Sequence, residues 1–202
     1  PDIVSVLAEA RRQGALTAAL TNRPNSPLAD EANVVIDLQA GEELAVAATK
    51  TYTAELAAVA LISAVLSGST EQHDALLAVP EAMETTLAMN DAVAEIAPRY
   101  RYMQRCVVVG RGFNLATAFE TALKLKEMTY TIVEPYSSAD FLHGPLAMIE
   151  QGFPVILIAP SGVMAAEMLD FAHTLRERQA ELIVISHAAD LLDVARIPLA
   201  LP

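Results

Sequence analysis

Cysteine, glycine and basic residues are all scarce in this chain, and each scarcity closes off a class of structure. A single cysteine, Cys106, among 202 residues excludes a disulfide scaffold. It also fits a reducing compartment, so the cytoplasm is the expected location. Eight glycines exclude a collagen-like repeat. Only 13 lysines and arginines stand against 25 acidic residues, for a net charge of −12. Nucleic-acid recognition needs a basic surface, so no nucleic-acid partner is expected. The start lacks the basic segment and apolar run of a signal peptide. The most apolar stretch, residues 56–66 (LAAVALISAVL), is too short to span a bilayer. It is expected to form a buried helix, and no membrane partner is expected. The first residue is Pro1 and the last two are Leu201 and Pro202 in an apolar stretch, which reads as a fragment of a longer fold.

What is present is apolar bulk. Hydrophobic residues make up 53% of the chain, enough to bury a core and offset the entropy of ordering it. Residues 2–13 carry Ile3, Val6, Leu7 and Ala10 at helical spacing, with Pro1 suited to a first helical position and Gly14 to the stop. Strands are expected at 16–20 and 33–38, with Ser26 capping a short helix over 28–32 between them. Helices follow at 51–67, 69–88 and 91–103. The pattern then restarts with a continuous apolar strand at 106–109, of the kind buried on both faces of a parallel sheet. A helix over 114–132, a loop over 133–144, a helical turn at 145–149, a strand at 154–159, a helix at 163–177, a strand at 182–186, a helix at 188–195 and a last strand at 197–201 complete the reading. Alternating strands and helices predict an α/β fold with parallel sheets. Two domains are expected, residues 1–100 and 101–202.

Four constellations are candidates for chemistry. Gly110-Arg111-Gly112 follows the buried strand, but a dinucleotide fingerprint needs a third glycine where Leu115 stands. A tight strand-to-helix turn is the better reading, and no cofactor is expected. In the following helix Thr117, Glu120, Lys124, Glu127 and Thr131 share one face, while Leu115, Ala118, Phe119, Ala122, Leu123, Leu125 and Met128 supply apolar surface. The helix therefore reads as largely buried with one charged stripe. That stripe is either solvated or lines a cleft, where Lys124 and Glu127, three residues apart, would set each other's protonation and suit general base chemistry. His143 precedes Gly144-Pro145 and is either a proton shuttle or simply an exposed loop residue. Residues 43–51 (ELAVAATKT) open onto a helix whose free N–H groups either favour an anionic ligand or are ordinarily capped. No spacing of histidine, cysteine and carboxylate suggests a metal site.

Three segments together resemble the SIS (sugar isomerase) family: GEELAVAATKTYTAEL from Gly41, GRGFNLATAFETALKLKEMTY from Gly110 and VEPYSSADFLHGPLAMIE from Val133. The resemblance is to the isomerase part of glutamine–fructose-6-phosphate aminotransferase and to related aminosugar-phosphate isomerases and deaminases. It implies a three-layer, Rossmann-like fold with the first lobe truncated. It also implies that Glu127 moves a proton between sugar C1 and C2, and that Lys124 lies in the same site. By the same token, His143 assists ring opening and reaches a neighbouring subunit's site, and Val46 and Ala48 approach the substrate. The implied partner is a small sugar phosphate, and the implied assembly a homodimer. Ala48 stands where the synthase usually has serine, and VAATK and EPYSSADFLHGP look more like the stand-alone isomerases and deaminases. The family's serine-rich phosphate loop and C-terminal tail are expected outside these 202 residues, so this stretch alone is expected to be weakly active or inactive. A non-catalytic sugar-phosphate sensor is the alternative that the resemblance leaves open.

Overall fold

The computed structural model describes residues 2–202. It divides into two compact units, Pro1–Glu81 and Ala82–Pro202.

In the N-terminal unit, α1 (Asp2–Arg12) ends at Gly14, whose φ of 83° a side chain would oppose. Two short strands follow, β1 (Ala18–Thr21) and β2 (Val34–Asp37), separated by α2 (Pro27–Asp30). Ser26 caps α2, accepting the Ala29 N–H, as the Ser-Pro sequence predicts. The strands pair in parallel from Ala18 with Val34 to Thr21 with Asp37. Thr17 and Asn33 tie the two entrances together. The Thr17 N–H and hydroxyl donate to Asn33 Oδ1, and the Asn33 N–H donates to Thr17 Oγ1.

The next helix, α3 (Lys50–Ser67), closes on Gly68 in the left-handed region. It corrects the expectation of a buried helix, since Ala64 is its only fully buried residue and Val59, Val65 and Leu66 are well exposed. Apolar side chains run all round it, and a two-stranded sheet can cover only one side of such a cylinder. Its length matches the helix expected over 51–67, and counted over all 18 residues, not the 11-residue apolar run alone, it is long and apolar enough to cross a membrane by length and composition. α4 (Thr70–Leu87) crosses the boundary between the units and carries Pro80 in its interior.

After the end of α4, the C-terminal unit continues with α5 (Asn90–Ile96) and a 3₁₀ turn at Ala97–Tyr100, so the helix expected to reach 103 is shorter. Seven further elements and a second 3₁₀ turn build a three-layer sandwich. They are β3 (Arg105–Gly110), α6 (Asn114–Thr129), β4 (Ile132–Ser137), α7 (Ser138–Leu142), the 3₁₀ turn Pro145–Met148, β5 (Pro154–Ile158), α8 (Ala165–Glu177) and β6 (Glu181–Ser186). α9 (Ala189–Val194) and β7 (Ile197–Ala200) complete it. All five strands are parallel, in the order β4-β3-β5-β6-β7.

Because side chains alternate along a strand, the sheet makes two cores. Val107, Val109, Val155, Leu157 and Val184 pack with Phe171 and Leu175 of α8 and Leu191 of α9. Cys106, Val108, Val133 and Ile158 meet Ala118 and Ala122 of α6 on the other face. Burial pushes the Cys106 thiol up to about 11, so it sits there as a small inert hydrophobe.

Two further expectations are corrected in this unit. The helix read to residue 132 stops at Thr129, because Tyr130 turns into the left-handed region with φ 57°. Thr131 therefore leaves the charged stripe. Residues 133–144, read as a loop, form β4 and α7 instead. β4 is an edge strand, where Pro135 lacks an N–H to donate but costs the sheet little.

Candidate active site

α6 is positioned by the turn before it. A Cβ on Gly110 would lie 2.2 Å from the Asn114 carbonyl oxygen, and Gly112 adopts φ +58°. Glycine at 110 lets the first turn of the helix fold directly over the end of β3. Within α6, Ala118 and Ala122 are buried one helical turn apart and form the ridge that meets the sheet. Phe119, Leu123 and Met128 point away and are exposed, which corrects the expectation of a largely buried helix. Small residues pack closest to a sheet, so the alanines lie deepest against it, with half-buried Leu125 packed beside them.

The charged stripe lies in the better-sheltered part of the helix. Lys124 Nζ sits 2.9 Å from Glu127 Oε2 and 3.3 Å from Glu120 Oε1. The Lys124 and Glu120 side chains are only 16% and 21% exposed, against 41% for Glu127. Contact with Glu127, and then with Glu120, holds the Lys124 ammonium above its ordinary pKa against the opposing cost of desolvation. The lysine is therefore a fixed cation at neutral pH and no proton acceptor. Its neighbour Glu127 is the more accessible carboxylate of the three-residue cluster. Glu120, present in the stripe but given no role there, is the third member that the geometry adds.

His143 stands elsewhere in the unit, exposed at the C-terminal end of α7, with its backbone N–H donating to the Asp140 carbonyl at 3.1 Å. This five-residue helix is pinned from several sides. Ser137 Oγ accepts the Asp140 N–H and donates to Asp140 Oδ2. Phe141 is fully buried, edge-on to Tyr136 at 5.1 Å and to Phe171 at 5.8 Å. Ser138 is also fully buried, and its hydroxyl donates to Glu167 Oε1 of α8, which in turn lies 3.0 Å from Arg111 Nε. The strand-to-helix turn, α8 and the element carrying His143 are thus tied through one carboxylate. Arg111, Ser138 and Glu167 are far apart in sequence, and no local spacing points to that tie.

Val46 and Ala48 lie in the N-terminal unit. Val46 is fully exposed, whereas Ala48 is half-buried and lines a cavity of about 800 Å³ together with Asn22, Arg23, Glu43 and Thr51. The start of α3 is already capped. Glu43 Oε2 accepts from the Thr49 N–H at 3.2 Å, the Thr51 N–H at 3.1 Å and the Thr51 hydroxyl at 3.0 Å. The backbone bond from Thr51 leads the effects that hold this carboxyl below its ordinary range. Of the two readings of this helix start, the capping one is what the structure shows, with an internal carboxylate as the anion. Among the described residues, no cluster of three or more metal-ligating side chains occurs.

A family model described as SIS domain matches residues 1–65 and 101–191. The chain is similar to the glutamine–fructose-6-phosphate aminotransferase (isomerizing) of Methanothermobacter thermautotrophicus, being 39% identical over 176 residues, or 87% of this chain and 30% of that protein. With the enzyme of the same name from Thermococcus kodakarensis it is 33% identical over 210 residues, covering 100% of this chain and 35% of the relative. Its fold matches the C-terminal domain of glucosamine-fructose-6-phosphate aminotransferase from Francisella tularensis with a TM-score of 0.90 at 26% identity, over 98% of this chain and 59% of that one. The chain thus spans about a third of the length of the curated relatives it matches.

Proposed function

Because this chain belongs to the SIS domain family, we propose that it is the phosphosugar-isomerising part of an enzyme acting on an aminosugar 6-phosphate, with Glu127 as the group that moves a proton between C1 and C2. The observation that carries this reading is the sheltered Glu120–Lys124–Glu127 cluster, in which one carboxylate stays accessible beside a fixed ammonium.

The chemistry runs in three steps. His143, reaching in from the neighbouring subunit, relays the proton from the C1 hydroxyl to the ring oxygen as the C1–O5 bond breaks, opening the ring. The Glu127 carboxylate then removes the C2 proton from the open aldehyde; the electron pair forms the C1–C2 double bond, the carbonyl electrons move onto O1, and O1 takes a proton from water to give an enolamine. Returning the C2 proton from Glu127 to C1 gives the protonated ketose imine, which water hydrolyses to fructose 6-phosphate and ammonium. Run in reverse with ammonia supplied, the same steps make the aminosugar. Proton transfer by a well-placed carboxylate contributes roughly 10²–10⁴-fold to rate. Lys124, held protonated, steadies negative charge on the reacting oxygens and keeps the Glu127 side chain in place. On this reading Val46 and Ala48 contact the sugar, and the protein works as a cytoplasmic homodimer. The exposed apolar faces of α3 and α6 support the dimer.

Replacing Glu127 by Gln in the full-length protein tests the assignment. Exchange of the C2 hydrogen with solvent and turnover of glucosamine 6-phosphate or fructose 6-phosphate should both be lost, while sugar-phosphate binding remains. Turnover at the wild-type rate would sink the role given to Glu127.

A further inference from the structure

The loop between β2 and α3 is tied down at both ends by side chains. At its entrance, Asn22 at the end of β1 accepts the Ala40 N–H through Oδ1 at 2.9 Å and donates to the Gly41 carbonyl through Nδ2 at 2.6 Å. At its exit, the three bonds into Glu43 Oε2 draw Thr49 and Thr51 back onto the residue that opens the apolar run. The helix's own N-cap residue, Thr49, makes no side-chain cap bond, so Glu43 alone does that work. Between the two ties lies LAVAA, residues 44–48, where the large side chains Leu44 and Val46 are 83% and 107% exposed. Five small or apolar residues with such exposure have little packing of their own to hold a shape. Their conformation is set by where residues 43 and 49–51 are pinned.

We infer that Glu43 is a positioning residue, whose carboxylate clamps loop 44–48 shut and thereby sets the place at which Val46 and Ala48 meet the sugar. This rests on the reading that these two residues contact the substrate. Glu43 Oε2 is taken up by Thr49 and Thr51, so its loss should weaken binding and leave kcat unchanged. A neutral glutamine retains a carbonyl acceptor but loses the charge assistance, which roughly halves the strength of such bonds.

The test uses two variants of the full-length protein, Glu43→Gln and Thr51→Val, the second removing only the hydroxyl bond. Hydrogen exchange followed at the Thr49 and Thr51 amides reads the clamp without any ligand. Steady-state kinetics with glucosamine 6-phosphate or fructose 6-phosphate reads its effect on substrate. In Glu43→Gln, exchange at both amides should quicken about tenfold and KM should rise about fivefold, with kcat within twofold of wild type. Thr51→Val should move both in the same direction, by about threefold. Unchanged exchange in Glu43→Gln would overturn the clamp itself. Faster exchange with KM unchanged, or with a fall in kcat alone, would overturn its link to the sugar. A wild-type protein that binds neither sugar phosphate would instead remove the substrate reading on which the link rests.

Discussion

One run of elements occurs in both units. In the N-terminal unit α1, β1, α2 and β2 follow one another, and in the C-terminal unit α8, β6, α9 and β7 do the same. Both strand pairs are parallel, Ala18 opposite Val34 in one and Ile183 opposite Ile197 in the other. Their burial differs sharply. β1 buries only Ala19 and α1 nothing, whereas β6 buries Leu182, Ile183, Val184 and Ser186, and α8 buries Met168, Phe171, Ala172 and Leu175. β6 is flanked on its other side by β5, with Leu182 opposite Val155, while β1 pairs with β2 alone among the described residues. A helix–strand–helix–strand run thus fixes local geometry, but a core forms only when further strands widen the sheet. Of the residues proposed to act, Lys124 and Glu127 lie on a helix of the well-packed unit, and Val46 and Ala48 lie in a tied loop of the exposed one.

The comparison can be broken most sharply at the residue proposed to move the proton. Glu127→Gln should lower kcat about 10³-fold, measured by turnover and by exchange at sugar C2, whereas Glu43→Gln in the other unit acts on KM. A comparable loss of kcat from Glu43 would erase the division of labour. Packing gives the next largest effect. Leu157→Ala, in the centre of the five-stranded sheet, should cost about 2–5 kcal/mol in chemical denaturation of the full chain.

The start of β6 supplies a smaller, pH-dependent difference. Glu181 accepts from Arg99 Nε at 2.6 Å and from Tyr100 Oη at 3.2 Å, and Arg99 first of all holds its carboxyl below the usual range. A carboxyl whose folded pKa is depressed stabilises the fold above its unfolded pKa and loses that contribution as pH falls through the folded value. Glu181→Gln should therefore flatten the acid limb of the stability–pH curve and cost about 1 kcal/mol at neutral pH. Tyr100, pushed up to about 12 by burial and the neighbouring carboxylate, stays a donor throughout that range. The smallest change belongs to the exposed pair, where Val35→Ala on β2 should cost less than about 0.5 kcal/mol in the same denaturation measurement. A loss close to that of Leu157→Ala would show that β2 is far better buried than its 40% exposure indicates.

Much of this architecture is legible in the residues. The valine run of β3, the PVILI and LIVIS runs of β5 and β6, and the Ser-Pro start of α2 each announce their element through β-branched bulk or cap chemistry. β4 is hidden because Tyr130 ends α6 in a left-handed turn that no glycine marks, and because Pro135 interrupts what would otherwise read as a strand. The exposure of α3 is hidden for another reason, since an all-round apolar helix looks buried until the sheet it meets proves to have two strands. In the candidate site, the spacing of Glu120, Lys124 and Glu127 already puts them on one face. Which of them is sheltered, and which is reachable, depends on how Ala118 and Ala122 dock on the sheet.

Propensity, side-chain spacing and local hydrogen bonds act over a few residues, so the alternation of strands and helices, the cap of α2 and the charged face of α6 are legible from the residues alone. Longer-range contacts set the rest. They joined Arg111, Ser138 and Glu167 across three elements, made Glu43 the cap of a helix that starts seven residues later, and buried one helix–strand–helix–strand run while leaving its counterpart exposed. Those outcomes depend on which surfaces meet, and hydrophobic burial and carboxylate hydrogen bonding take effect only once they do.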